Sequence, residues 1–337
     1  MSKDNITSID VAKKAGVSQS AVSRYYTPGA SLSKKTALKV KLASDKLGYR
    51  PNVLARSLIT GKSKIIGLVV AYLENYFYPA ALEKLSNSLQ LEGYHVLVFM
   101  ASQTAGDIDE VLAEILDYQV DGIIVASVAM SSSLATRCQE AGVPVVLFNR
   151  DQDDDKLSSV TSDNFAGGQK VADLLLDLDH KRISYLAGWE GASTQRDREF
   201  GFVSKLQERG AKLFSRDIGN FKFDEAQKAT LRMFTKRIIP DALFVANDHM
   251  AFAAMDVIRF DLKLKIPEDV SVVGYDDVPP SSWPSYDLTT VKQKADKLVE
   301  EAVRVLVESI EEKDMETKKL KIDSPLVIRN STKKRVK

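Results

Sequence analysis

A single cysteine, Cys138, stands in the 337 residues, so an intrachain disulfide framework and a thiolate metal cluster are both excluded. Its expected place is as a small apolar filler beneath a helix. Histidine is almost as scarce: His95, His180 and His249 are scattered, and no nucleophile with its base stands among them. No apolar run approaches the ~18 to 20 residues of a membrane span, and the opening M-S-K-D-N-I-T lacks a signal-peptide core. A cytoplasmic protein is the expectation. No G-x-G-x-x-G follows a strand-like run, and Gly61-Lys62-Ser63 does not complete a phosphate loop, because Arg56 stands where the first glycine belongs. These absences leave no cofactor, no metal and no catalytic residue to nominate, and they argue against an enzyme.

Net charge is also nearly missing, at +1, but only as a sum. Residues 1 to 64 carry 13 Lys+Arg against 3 Asp+Glu, whereas the remaining 273 carry 34 against 43. A basic segment beside an acidic one points to a polyanion partner for the first part alone. Counterion release from DNA phosphates would supply much of its affinity.

Within that segment, Thr7 is a helix N-cap with Asp10 three residues on, Val11, Ala12 and Ala15 share a face, and Gly16 ends the helix. Ser18 caps a second helix. Its apolar stripe is Ala21, Val22, Tyr25 and Tyr26, with Gln19, Ser20, Ser23 and Arg24 opposite. Two short helices so spaced make a helix-turn-helix, and a polar face of this kind suits base-edge reading. Arg24 fits a guanine edge or a phosphate, and Gln19 an adenine. After the turn Thr27-Pro28-Gly29, Ser33 caps a third helix expected to close the core with Ala37, Leu38, Leu42, Ala43 and Leu47, ending at Gly48. Beyond Pro51, Asn52 to Leu58 has a cap and helix formers but only about two turns, too short to hold alone.

From Ile65 onward, apolar runs alternate with helical patterns: Ile65 to Tyr72, Val96 to Met100, Gly122 to Ala126, Val143 to Phe148, Ile183 to Ala187, Ala242 to Ala246, and Val270 to Gly274. Short apolar strands separated by helices imply two doubly wound parallel sheets. The expected chain is a small all-α head over 1–50, a hinge and linker over 51–63, and an α/β body over 64–337. Ligand-binding residues in such sheets lie just after strand C-termini.

The stretches D-V-A-K-K-A-G-V-S, L-G-Y-R-P-N and A-R-S-L followed by I-I-G-L-V-V resemble the lactose-repressor and purine-repressor (LacI/GalR) family, and the likeness runs through nearly the whole chain. It implies a hinge helix that folds on operator DNA, with Leu58 wedged into the minor groove, Ala55 and Arg56 beside it, and the duplex kinked. It also implies two lobes like those of periplasmic sugar-binding proteins, with an effector in the cleft. Phe77 and Tyr78 then offer flat faces after the first strand, where Tyr76 replaces the family's usual proline. Ser127 is either a hydroxyl donor or a loop serine. Arg198 maps onto the family's ligand-gripping arginine, Ser193 and Thr194 onto polar contacts, Phe221 onto a stacking aromatic, and Asn247 and Asp276 onto two further loops. Ala192 stands at the family's first arginine position in its loop, against a purine-type site. Each polar residue taken singly has a cap or turn role as its alternative. Asp163-Asn164 reads as a cap, Asp277 and Asp153 to Asp155 as solvated or turn-forming, His180 as a loop residue, and the T-K-K-R-V-K tail as solvated.

The expected function is sequence-specific, ligand-responsive transcriptional repression by a homodimer on a pseudo-palindromic operator, with a sugar or sugar derivative as effector. A nucleoside or purine-type co-repressor is the alternative. An enzyme and a sugar carrier that does not bind DNA are the rival classes.

Overall fold

The computed structural model describes residues 6–27, 29–50, 62–71, 73–101, 105–126, 131–152, 155–312 and 316–334. The expectations for Asn52, Ala55, Arg56 and Leu58, and for Ser127, fall outside these residues. Two units emerge, Met1–Lys64 and Ile65–Lys337.

The first unit contains α1 (Ser8–Ala15), α2 (Gln19–Tyr25) and α3 (Lys34–Leu47). Each begins where a hydroxyl caps it: Thr7, Ser18 and Ser33 accept from the backbone N–H groups of Asp10, Ala21 and Thr36. Gly16 and Gly48 end α1 and α3 at φ of 63° and 67°, a left-handed turn that suits glycine. The core is Val11, Ala12, Val22, Val40 and Ala43, with Tyr25, Tyr26, Leu47 and Tyr49 packed against it. Leu38 and Leu42 were expected in this core. They are 58% and 61% exposed. The helical period explains the correction, since the buried row runs Val40, Ala43 and Ser44 toward Leu47, and Leu38 and Leu42 fall on the opposite face of the helix.

The second unit is two six-stranded sheets. The first has the order β11-β5-β4-β3-β1-β2, with β1 (Ile65–Val70), β2 (His95–Met100), β3 (Gly122–Ala126), β4 (Val145–Phe148), β5 (Ser158–Ser162) and β11 (Lys319–Ile322) all parallel. The second has the order β12-β10-β9-β8-β6-β7, with β6 (Ile183–Ala187), β7 (Ser215–Ile218), β8 (Ala242–Val245), β9 (Ser271–Asp276) and β10 (Thr289–Lys292) parallel and the short β12 (Leu326–Val327) antiparallel at its edge. Around the first sheet lie α4 (Phe77–Leu91), α5 (Ala105–Asp117), α6 (Ser132–Glu140) and α11 (Ala295–Glu311). Against the second lie α7 (Asn164–Asp177), α8 (Ser193–Glu208), α9 (Phe223–Phe234) and α10 (Asp248–Asp256). The chain therefore crosses between lobes three times, after β5, after β10 and after β11.

Central strands are buried on both faces, as parallel sheets covered by helices require. Each fully buried Leu, Ile or Val contributes roughly 1.5 to 3 kcal/mol. Cys138 fills such a position on α6 at 1% exposure, where burial pushes its thiol up to about 11. Two further expectations are corrected, and one is extended: His180 is a loop residue before β6, as expected, and is buried there, with Nδ1 3.4 Å from Asp241. Asp277 is held by Arg329 at 2.6 Å and faces Lys292 at 3.6 Å. Thr332, in the tail expected to be solvated, is buried against Thr289.

Candidate functional site

On the head, Gln19, Ser20, Ser23 and Arg24 are all exposed while Val22 is buried beneath them. Part of this row is already engaged. Gln19 Nε2 donates to Ser8 Oγ at 3.1 Å, and the Ser18 and Ser20 hydroxyls share a hydrogen bond of 2.9 Å. Thr7 closes a capping box with Asp10, whose carboxyl those hydrogen bonds hold below its usual range. Arg24 is exposed, and its side chain makes no hydrogen bond or ion pair among the described residues, so its guanidinium donors are available.

In the body, the C-terminal ends of the strands of both sheets converge on one polar cluster between the lobes. Its centre is Arg198, on α8 and 2% exposed. The guanidinium lies 3.7 Å from the Tyr275 ring centroid, donates from Nε to Asn164 Oδ1 at 2.8 Å and from Nη1 to the Ala246 carbonyl at 2.6 Å, and places Nη2 3.7 Å from Asp276 Oδ1. Asp276 ends β9 with φ 133°, an uncommon backbone for a residue with a side chain. Burial pushes its carboxyl up to about 7, although Arg198 opposes the rise.

Two neighbours tie that carboxylate to the rest of the body. Gln293 Nε2, at the crossing after β10, donates to Asp276 Oδ1 at 2.6 Å while its Oε1 accepts from Ser162 Oγ at 2.8 Å at the crossing after β5. Asn75, from the other lobe, donates from Nδ2 to Asp276 Oδ2 at 3.3 Å, and its Oδ1 accepts from Phe77 N to start α4. Asn75 thus closes a short turn into α4, where the N-cap residue Tyr76 makes no side-chain capping bond. Ser193 and Thr194 also join the lobes, since Ser193 Oγ accepts from Asp151 N at 2.9 Å and Thr194 Oγ1 accepts from Arg150.

The aromatic residues are more enclosed than expected. Phe77 is 4% exposed and stacks on Phe148 with centroids 6.4 Å apart, and Tyr78 meets it edge-on at 5.4 Å. Phe221, at φ 62°, lies over Gly188 so closely that a Cβ there would stand 2.2 Å from its ring. Asn247 caps α10 through Oδ1, which accepts from Met250 N at 3.0 Å, yet its buried Nδ2 has no partner. Asn149 Oδ1 and His249 Nε2 are likewise buried and unpartnered. Because buried polar groups are paired in the great majority of cases, atoms left open along one cleft mark where a ligand would bond.

The structure therefore brings together Phe77, Tyr78, Ser193, Thr194, Arg198, Phe221, Asn247 and Asp276. It adds Asn75, Asn149, Arg150, Asn164 and Gln293, which sequence reasoning did not nominate. A separate surface hollow of about 580 Å³, lined by residues including Leu174, Asp287, Arg329 and Lys333, contains none of them. Among the described residues no group of three or more His, Cys, Asp or Glu could hold a metal, and no helix is long and apolar enough to cross a membrane.

Residues 8–52 match the bacterial regulatory proteins of the lacI family, and residues 172–332 match the periplasmic binding protein-like domain. The HTH-type transcriptional repressor PurR of Pasteurella multocida is 29% identical over 330 residues, covering 97% of this chain and 98% of its own. The protein of the same name from Vibrio vulnificus is 28% identical over 328 residues, covering 96% and 98%. Among solved structures, the lac repressor dimer bound to operator and the anti-inducer ONPF superposes with a TM-score of 0.87 at 27% identity, over 98% of this chain and 99% of that one. The transcriptional regulator CelR–cellobiose complex does so with a TM-score of 0.73 at 27% identity, over 97% and 99%. The likeness spans head and body together, and the chain belongs to the LacI/GalR family of bacterial transcriptional regulators.

Proposed function

We propose that this chain is a cytoplasmic, non-catalytic repressor that binds a pseudo-palindromic operator as a homodimer and is controlled by a sugar or sugar derivative held between its lobes. The observation that carries the effector reading is the buried Arg198–Asp276 pair, with Asn75 of the opposite lobe on the same carboxylate. A guanidinium beside a carboxylate offers donors and acceptors to a vicinal hydroxyl pair, and the neighbouring rings suit the C–H face of a sugar. A ligand that takes Asp276 competes with Asn75, and so changes the angle between the lobes. That motion alters the spacing of the two segments at 51–63 that would meet the operator, where Leu58 is assigned the wedge and Asn52, Ala55 and Arg56 the flanking contacts. Gln19, Ser20, Ser23 and Arg24 are assigned base-edge reading, with Thr7 and Ser18 toward phosphate. Effectors favouring one lobe angle release DNA, and those favouring the other tighten it.

The PurR names of the relatives favour a second reading, a nucleoside or purine-type co-repressor. Against it, the small, buried Ala192 stands where a purine-type site would have an arginine. A gel shift with the purified protein, titrated with salt and then with sugars, sugar phosphates and nucleosides, tests all parts. A sequence-specific, salt-sensitive shift reversed or strengthened by a sugar is the expected result, and catalytic turnover without DNA binding would sink it.

A further inference from the structure

We propose that Ser8, on the first helix of the head, is a positioning residue for operator selectivity: it holds the Gln19 amide with its nitrogen inward and its oxygen outward, so that Gln19 reads DNA as an acceptor and selects a base pair by its exocyclic amine. The inference rests on the base-edge reading assigned to Gln19 above and narrows it.

Ser8 and Gln19 are each the first residue of a helix, and both helix starts are fixed. Thr7 forms a box with Asp10 at the start of α1, its Oγ1 donating to Asp10 Oδ2 at 2.7 Å and its backbone N at 2.9 Å. Ser18 caps α2 by accepting from Ala21 N at 3.2 Å. The two capped ends meet, and Gln19 Nε2 donates to Ser8 Oγ at 3.1 Å.

Ser8 precedes Val11 and Ala12 by three and four positions, so it lies on the face that α1 turns toward the core. An apolar side chain would be the ordinary choice there. Ser8 is half-buried, unlike its exposed neighbours Thr7 and Ile9, and its hydroxyl also faces the phenol of Tyr49, where it opposes the rise that burial and Tyr26 produce. A hydroxyl at this place thus serves two polar neighbours at once.

The direction of the Gln19 amide decides what it reads. An amide carries donors on one side and an acceptor on the other, and Gln19 is exposed with Oε1 in no hydrogen bond among the described residues. In the major groove each base pair shows one exocyclic amine, on adenine or on cytosine, beside carbonyl and ring-nitrogen acceptors. A freely turning amide meets either kind, whereas one pinned by its nitrogen presents oxygen and meets the amine. Arg24, on the same face, carries donors only, so the two side chains read complementary features. Because the amide is oriented before DNA arrives, less side-chain entropy is lost on binding.

The test uses the full-length protein and a pool of duplex DNA randomised over two half-sites, from which the wild type and each variant select their preferred sequences. Gln19→Ala should relax one base pair per half-site, and Ser8→Ala should relax the same pair about threefold or more while leaving the others unchanged. Ser8→Thr, which keeps the hydroxyl, should retain the preference, and Ser8→Ala should add nothing in the Gln19→Ala background. On the selected site, purine in place of adenine or pyrimidin-2-one in place of cytosine at that pair should weaken the wild type about fivefold or more and leave Gln19→Ala unaffected. Unchanged selectivity in Ser8→Ala, a loss at a different pair, a uniform loss at every pair, or one additive with Gln19→Ala overturns the positioning role. Amine removal that does not weaken the wild type, or a Gln19→Ala variant that relaxes no pair, overturns the acceptor reading. Each of these results leaves the repressor reading standing, whereas a wild type that selects no sequence from the pool overturns that reading and this inference with it.

Discussion

In the proposed mechanism, Asp276 is the residue on which lobe angle, ligand chemistry and pH meet. Its folded-state carboxyl titrates at about 7 against an ordinary 3.8, chiefly because burial disfavours the charge. A raised pKa means that its contribution to stability is complete below the unfolded value and is lost as pH rises through about 7. Compared with Asp276→Asn, the unliganded wild type should therefore lose stability progressively between about pH 4 and pH 7. Urea unfolding across that range measures the difference, and a flat difference would show that the carboxyl is ionised throughout. The same variant should lose its effector response while still shifting operator DNA. On the head, Arg24→Ala should cost roughly 1 to 3 kcal/mol and relax selectivity at one base pair per half-site, as removal of a bidentate base contact does. Binding titrations on a panel of single-base operator variants check this, and a uniform loss across the panel would mark a phosphate contact. Residues such as Arg198 and Asp276 were legible because their loops carry recognisable patterns. Asn75, Asn149 and Gln293 were not, since an amide in a loop looks the same whether it faces water or a buried carboxylate across 201 residues of chain.

At the level of elements, Arg198 is held in place by the contact of α7 with α8. A Cβ on Gly168 would stand 2.2 Å from the Arg198 carbonyl oxygen, and one on Gly201 2.0 Å from that of Phe165. Both neighbours are backbone and cannot turn aside. Gly168→Ala should therefore push α8 outward at the upper end of the ~1 to 3 kcal/mol typical of overpacking. It should also weaken effector binding more than operator binding, which paired calorimetry and gel shifts would reveal. A lowered melting temperature with unchanged effector affinity would show that the two helices do not position the arginine. The expected strand pattern identified β1, β2, β3, β4, β6, β8 and β9 because these are short apolar runs. Strand β5 escaped it, being Ser158 to Ser162 with the sequence S-S-V-T-S, buried throughout. Its hydroxyls are satisfied by tertiary bonds, Ser159 to Asp151 at 2.9 Å and Ser162 to Gln293 at 2.8 Å, which no hydropathy pattern announces. The same polar strand leads into the first crossing, so the part of the sheet hardest to read lies closest to the hinge between lobes. In α3 the error ran the other way: Leu38 and Leu42 are apolar enough for a core, but the period turns them outward.

Across the whole molecule, ten excess positive charges lie in the first 64 residues and nine excess negative charges in the rest. Operator affinity should therefore fall steeply with salt through the head, while the acidic body adds repulsion from DNA and leaves ligand binding in its cleft nearly insensitive to salt. Coupling between the two must be reciprocal. Whatever factor an effector applies to operator affinity, operator DNA applies to effector affinity, because both bias one equilibrium between lobe arrangements. For an effector that weakens operator binding, say, thirtyfold, a coupling of about 2 kcal/mol, calorimetry on the DNA-bound repressor should show effector affinity lowered by the same factor. A co-repressor should show the same factor with the sign reversed. If Leu58 has the proposed wedge role, Leu58→Ala should shrink that factor on both sides equally, since a hinge unable to wedge the minor groove no longer distinguishes the two arrangements as strongly. Unequal factors measured at one salt concentration would mean that ligand or DNA changes the oligomeric state as well, and that a single dimer with two lobe angles is not the regulatory unit.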